Sequence, residues 1–589
     1  MKGFGVRARA LAGIAAATLC VRVAPAAAQA ESGPSQSAMI NLIHLLVKQK
    51  VITQQSADAL LKEAEQEAAH ARAANAKTGE TAAPVPIPSA RPEPPLPEPG
   101  VVRVPYVPQI VRNQIRDEVK AEVLKDAKAE NWAQPEAVPA WTKRITWNGD
   151  FRFRDELDLY GKNNIGSDGI DGFVNYSAFN SNGPTDVNPN NILNDIPFLN
   201  TTANRYDQLS LRARLGLTAD VSDGVLVGVR LATGNTDSPV STTQILGGGL
   251  TKKDIWLDQG YVALTPFPAD TITLGRMPDP FFHTDLLYHD NLNFDGVTLA
   301  SPGTAPWERD VHTFLTLGLF PVGYIDANFP TYSPIKTGDR TEFLLGAQLG
   351  EDWQQPRYDW RFAVSLYRYI NAQGELSAPC PIYLGTKQCS TDDTVPGFMQ
   401  KGNTLFLIRS IIPDPSNPTN YSQPQFAGLL FNYNELNATT SFDLKVSSRY
   451  DLIFTGDYVR NLAYNGSLAY RYAAEGVFPI TNFNPTTQTL ESGPNAFMGS
   501  VLFGEPEIHH RWEWNIIGGY KYIQPDAELD AFDDHDFHLG GTNAKGYFLK
   551  VSLGIFDNTW LQARWFSADE VYGPPLAIDV MQLDLYATF

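Results

Sequence analysis

From about residue 144 the apolar and polar residues alternate with a period of two. In RITWNGDFRFRDELD, Ile145, Trp147, Gly149, Phe151 and Phe153 share one face, and Thr146, Asn148, Asp150, Arg152 and Arg154 share the other. DQLSLRARLGLTAD repeats the plan, with Leu209, Leu211, Ala213, Leu215 and Leu217 against Gln208, Ser210, Arg212, Arg214 and Thr218. NATTSFDLKV sets Ala438, Phe442, Leu444 and Val446 against Asn437, Thr439, Ser441, Asp443 and Lys445. RWEWNIIGGYKY aligns Trp512, Trp514, Ile516, Tyr520 and Tyr522. Successive side chains of a strand point to opposite faces, so each segment predicts a strand with one apolar and one polar side. Segments near 225–233, 254–264, 271–276, 295–300, 312–320, 341–350, 357–370, 404–410, 427–434, 451–460, 546–556, 559–566 and 580–589 extend the series. Of these, 404–434 reads as strand or loop, as does 524–545. About sixteen strands result, with 14 to 18 compatible with the pattern.

The connections alternate too. SDG (222–224), PFPAD (266–270), EDWQQP (351–356), SSRYD (447–451) and FDNT (556–559) carry tight-turn residues. Between them lie long stretches rich in Asn, Gly, Pro and Ser, such as 159–206 and 461–500. Compact soluble domains rarely contain structureless loops of that length, whereas membrane barrels join short turns at one end to long loops at the other.

Alternation alone also fits a soluble sandwich, but this many strands exceed one sandwich, and the apolar faces end in aromatics. Trp147, Trp256, Trp512, Trp514, Trp560 and Trp565 fall in or near strand ends, as interfacial girdles require. Backbone groups in hydrocarbon must pair among themselves, so the sheet has to close. An arginine on the lipid face would cost about 2–4 kcal/mol at the midplane, which assigns Arg152, Arg154, Arg212 and Arg214 to a wet interior. The expected fold is all-β: a closed antiparallel transmembrane barrel over residues 141–589.

Upstream the period changes. Residues 1–30 read as a secretory leader, with Lys2, Arg7 and Arg9 before a short apolar run and Ala28-Gln29-Ala30 at the cleavage position. Residues 31–80 carry helical pattern, 81–109 form a proline-rich linker, and 110–131 form an amphipathic helix. Val111, Ile115, Val119 and Val123 recur every four residues there, a narrow stripe suited to a short coiled coil. No plug of well over a hundred residues precedes the barrel, which argues against a gated high-affinity transporter. The net charge of −19 argues against a nucleic-acid partner. Two cysteines outside the leader, Cys380 and Cys389, predict a local disulfide in an oxidising compartment.

The segments VRVPYVPQIVRNQIRDEVKAEVLKDAKAENWAQP, WTKRITWNGDFRFRDE, LGRMPDPFFHTDLLYHDNLNFDGVTL, FDDHDFHLGGTNAKGYFLKVSLGIFDNTWLQARWFSADEVYGPP and LDLYATF together resemble the putative porin family of Gram-negative outer membranes. The resemblance covers essentially all of the chain after the leader. It implies Sec-dependent export to the outer membrane and an N-terminal extension in the periplasm. It further implies contact with outer-membrane lipids and lipopolysaccharide, assembly as a homotrimer, and passive diffusion of small polar solutes, with no cofactor. The terminal Phe589, on the alternating strand MQLDLYATF, resembles the signal read by the barrel-assembly machinery.

A diffusion pore works by size exclusion and by the charges at its narrowest point. The loop 277–294 is apolar enough to fold inward (Phe281, Phe282, Leu286, Leu287, Tyr288). With it come Asp279, Asp285, Asp290 and Asp295. The facing wall would hold Arg152, Arg154, Arg212, Arg214, Arg230 and Arg276, giving a transverse field and, where the arginines dominate, anion preference. DDHDFH (533–538) offers Asp533, Asp534, Asp536, His535 and His538, but it reads as a solvated loop and no metal site is expected. No Ser/His pair oriented by Asn or Asp stands out, so an enzyme is not expected. Two further readings remain: a substrate-selective channel for anions, phosphate or sugars, and an outer-membrane anchor or adhesin built on the helical extension.

Overall fold

The structure is a computed structural model. It describes residues 142–589 apart from 166–172, 181–182, 189–195, 235–237, 268, 304–309, 325–339, 386–387, 418, 420–422, 478 and 485. The expected leader, both helical segments and the proline-rich linker lie outside the described residues.

Among the described residues, sixteen long strands make one sheet. In chain order they begin with β1 (Ile145–Tyr160), β2 (Arg205–Ser222), β3 (Val225–Thr233), β4 (Ile255–Leu264), β5 (Thr271–Pro278) and β6 (Asn293–Pro302). Next come β7 (Val311–Gly323), β8 (Glu342–Gln355), β9 (Tyr358–Ile370), β10 (Asn434–Lys445) and β11 (Asp451–Asn461). The last are β12 (Asn495–Gly504), β13 (Trp514–Ile523), β14 (Ala544–Phe556), β15 (Thr559–Asp569) and β16 (Ile578–Thr588). Each pairs antiparallel with its sequence neighbours, and β1 also pairs with β16, from Asp150↔Thr588 to Tyr160↔Ile578. The sheet is therefore closed, and no edge is left to meet hydrocarbon. A two-residue piece, Gln244–Ile245, prolongs the pairing of β2 beyond β3.

The alternation holds on the wall. Phe151, Phe153, Leu209, Leu215, Met581 and Leu583 are exposed on the outside, whereas Arg152, Arg154, Ser210, Gln582 and Asp584 are buried inside. Turns of two residues close β2–β3, β8–β9 and β14–β15 at one end, and the long connections gather at the other.

Four expectations need correction. Residues 404–410 and 427–434 are not wall strands: only Leu405–Leu407 and Ala427–Leu429 are extended, and they pair with each other inside the 371–433 connection. Their apolar character serves burial among loops. Conversely, β12 lies at the end of what reads as a loop. Its inward positions Ala496 and Met498 are apolar because they face packed loops instead of water, and this blurs the alternation. EDWQQ belongs to β8, leaving a turn of 356–357 only. Trp512 lies in the turn before β13, at a positive φ of 72°.

Candidate pore constriction

The connection 279–292 between β5 and β6 turns into the lumen because its side chains leave it no stable position in water. Leu286, Leu287 and Tyr288 are fully buried. Phe281 anchors the loop, with edge-to-face contacts to Tyr367 (5.1 Å), Phe294 (6.0 Å) and Phe320 (6.0 Å). It seats over two glycines of the wall: a Cβ on Gly346 would stand 2.5 Å from Phe281 Cζ, and one on Gly318 3.3 Å from the same atom. The absence of side chains on β7 and β8 is what admits the ring.

Polar contacts then carry the loop across the barrel. Gln348 on β8 accepts the Phe282 N–H and donates to its carbonyl, both at 2.8 Å. Asp457 on β11 accepts from the Thr284 hydroxyl at 2.7 Å and its N–H at 3.2 Å. Lys521 on β13 donates to the Asp285 carbonyl at 2.9 Å and pairs with its carboxylate at 3.4 Å. On the return, the Asn291 side-chain oxygen accepts from Arg212 at 3.3 Å and Arg214 at 3.2 Å.

The four acids named from sequence do not meet the arginine wall as a group. Asp279 pairs with His283 at 2.7 Å within the loop. Burial would depress that imidazole, but Asp279 outweighs it and pushes the pKa up to about 9. Asp285 is engaged by Lys521, and Asp290 is exposed. Asp295 lies on β6 and pairs with Arg276 on β5 at 3.1 Å, directly across the ladder. Both face outward, because the neighbouring pair Met277↔Phe294 is buried inside and Leu274↔Val297 is exposed outside. Arg276 and Asp295 are therefore not lumenal. Gly275 and Gly296 sit between the informative positions, so this parity is hard to count from sequence.

The remaining arginines face inward, and all but Arg152 are held by acids. Asp150 binds Arg212 at 2.9 Å and Arg214 at 2.5 Å. Asp258 binds Arg230 at 2.5 Å. Arg154 is clamped by both oxygens of Asp584 (2.7 and 3.0 Å) and by Asp536 at 2.9 Å. Arg152 donates to the Thr243 hydroxyl at 2.6 Å. Asp150 and Asp584 could have been read from sequence, since each shares the parity of a polar neighbour two residues away. Asn291 and Asp536 offered no such signal.

Asp536 belongs to a second inward loop, 524–543, and DDHDFH is buried, not solvated: Asp533, Asp534, Asp536 and His538 are all inside. Arg564 also binds Asp536, at 2.6 Å, and Lys521 binds Asp534 at 3.1 Å. Asp526 of the same loop accepts from Tyr433 at 3.0 Å and Thr404 at 2.8 Å, tying in the 371–433 connection. Burial pushes the Asp530 carboxyl up to about 7 and the His535 imidazole down to about 4. The two loops bring His289, Asp534 and His535 together, with donor atoms within 4.8 Å of one another. His289 Nδ1 accepts the Asn291 N–H at 3.0 Å, so the neutral ring carries its proton on Nε2 and offers no free lone pair. Cys380 and Cys389 are joined as a disulfide in the 371–433 connection, with Cα atoms 5.8 Å apart.

Two cavities flank the arginines. One, of about 300 Å³, is lined by Arg154, Arg205, Thr243 and Asp536 on the long-loop side. The other, of about 440 Å³, is lined by Asp150, Arg212, Arg214, Arg230 and Tyr586 on the short-turn side.

A closed sixteen-strand antiparallel barrel with an apolar exterior, a charged interior and loops folded into its lumen defines a channel of the outer membrane. The chain belongs to the family described as Putative porin, which matches residues 36–589. No curated protein sequence matches it. Among solved structures it is similar to OprB of Pseudomonas putida, with 9% identity over 76% of this chain and 95% of that one, at a TM-score of 0.39. It is also similar to a loop-deletion mutant of the outer membrane protein OmpT of Vibrio cholerae, with 10% identity, 76% and 100% coverage, and a TM-score of 0.35. The outer membrane channel DcaP of Acinetobacter baumannii gives 10% identity, 76% and 97% coverage, and a TM-score of 0.33.

Proposed function

We propose that this porin passes small hydrophilic solutes along the wall formed by β16, β1, β2 and β3, and that its selectivity is set there. The observation that carries the reading is the pair of cavities, one lined by Arg154 of β1 and the other by Arg212 and Arg214 of β2, with Asn291 of the 279–292 loop bonded to the latter two. The acidic counterpart of the field comes from Asp150 on the wall and Asp536 of the second loop more than from the first. Around Arg152, Arg212 and Arg214 cations outnumber acids, which favours anions despite the acidic total. Reversal potentials across planar bilayers test this. Arg212→Ala with Arg214→Ala should move the channel toward cation preference, and an unchanged anion-to-cation permeability ratio would refute it.

We also propose a homotrimer whose contact includes the outer face of β4, β5 and β6. Support comes from the outward Arg276–Asp295 pair, of which Arg276 also lines a cavity with Trp256 and Leu257. A charged pair facing hydrocarbon is costly, and a neighbouring protomer removes that cost.

A further inference from the structure

We propose that the lumen holds a binding site for a doubly charged oxyanion, centred on Arg152, Arg212 and Arg214. The inference rests on the pore reading above and adds a ligand class to it.

Charge is unevenly matched along the wall. Toward the long loops, Arg154, Arg205 and Arg564 are ion-paired with four acids: Asp584, Asp536, Asp158 and Glu156. One level further down, among the described residues, Arg152, Arg212 and Arg214 have Asp150 as their single ion-pair partner. Three cations against one ion-paired acid leave an excess of positive charge at this level, which Asp536 of the level above offsets in part at Arg152. Moreover, Arg152 and Arg212 stand directly opposite each other in the β1–β2 ladder, where like charges repel.

Arg152 is the residue left incomplete. It is only 3% exposed, it makes its hydrogen bond to a neutral hydroxyl, and its Nε–H is buried without a partner among the described residues. A buried donor without an acceptor costs about 1–3 kcal/mol, more when charged. Such a group is stable where an anion can reach it. Arg152 itself lines neither cavity, but its hydrogen-bond partner Thr243 lines the one on the long-loop side, and Arg212, its partner across the ladder, lines the other. An oxyanion that displaces the Thr243 hydroxyl would meet the guanidinium of Arg152, and one in the short-turn cavity that of Arg212; their planar forks suit two oxygens at once. The positive excess, with forks that each hold two oxygens, favours a dianion such as sulfate, hydrogenphosphate or a short dicarboxylate over chloride or acetate.

Single-channel recording of the full-length protein in potassium chloride tests the site, with sulfate, phosphate at pH 8, succinate or acetate added at constant ionic strength. Millimolar sulfate should reduce the chloride current by at least half, while equimolar acetate leaves it nearly unchanged. The three dianions distinguish tetrahedral from planar oxyanions. Arg152→Gln should raise the half-blocking sulfate concentration at least tenfold, and Arg152→Lys should fall between. If anion-preferring channels form but no dianion blocks, or if the Gln variant is blocked as well as the parent, the site is overturned and the pore stands. If no channels form, the pore reading fails, and sulfate calorimetry on the detergent-purified protein decides the site alone. Binding weakened tenfold by Arg152→Gln sustains it, and no binding overturns it.

Discussion

Phe281→Ala isolates what seats the 279–292 loop. The ring is buried against three aromatic edges and fills the space above Gly346 and Gly318. Truncating a buried phenylalanine costs about 3–5 kcal/mol, of which each aromatic edge accounts for about 0.5–1.5. The barrel ladders do not involve this side chain, so the loss falls on seating the 279–292 loop. Taking ~3 kcal/mol, the fraction of time the loop is unseated rises more than ~100-fold. The expected record is a larger single-channel conductance with frequent substates. Liposome swelling should show a higher exclusion limit for neutral solutes of graded size. Gly346→Val attacks the same contact from the wall side, since its Cβ would stand 2.5 Å from the Phe281 ring. Both variants should behave alike. A correctly folded Phe281→Ala barrel with parental conductance and parental size limit would refute the reasoning.

Other expectations follow from individual contacts. Arg154→Ala leaves the fully buried Asp584 with only the more distant Arg564, at 3.6 Å, and should destabilise the barrel by about 3 kcal/mol in denaturant titration, with Asp584→Asn partly restoring stability; an effect below about 1 kcal/mol would contradict the clamp. His283 has a folded pKa of about 9 against about 6.5 unfolded, so its stabilisation is complete below about pH 6.5 and is lost as pH rises through 9. Channel noise should therefore grow between pH 7 and 10, and Asp279→Asn should abolish that dependence. Arg276→Leu with Asp295→Leu should preserve or tighten a trimer through added apolar contact, whereas Asp295→Ala alone should weaken it on unheated gels. Gly149→Val should impair barrel closure, measured as loss of the heat-modifiable form, because its Cβ would lie 2.4 Å from the Phe589 ring.

How far the sequence could be read depended on what each strand face touches. Where lipid lies on one side and water or ion pairs on the other, as at Phe151 and Arg152, the period of two is plain and gives strand, face and lumen together. Where both sides are apolar it fails. Met498 and Ala496 face a core built from loops, so β12 was hidden; Leu405 and Leu407 belong to that core and mimicked a strand. The inward turn of 279–292 was legible from its apolar content, but its partners were not. Asn291 and Asp536 reach the arginines through loop paths that no periodicity encodes.

The seam between β1 and β16 has a consequence for how this chain reaches its fold. Asp150 and Thr588 are ladder partners although more than four hundred residues separate them. Every other pairing joins strands consecutive along the barrel, several of them through tight turns, but the ring cannot close until its two most distant strands meet. Non-local pairing of this kind is slow, and until it forms the sheet keeps two open edges, on β1 and β16. The interrupted apolar pattern and the strong negative charge oppose self-association of a chain whose edges are still open.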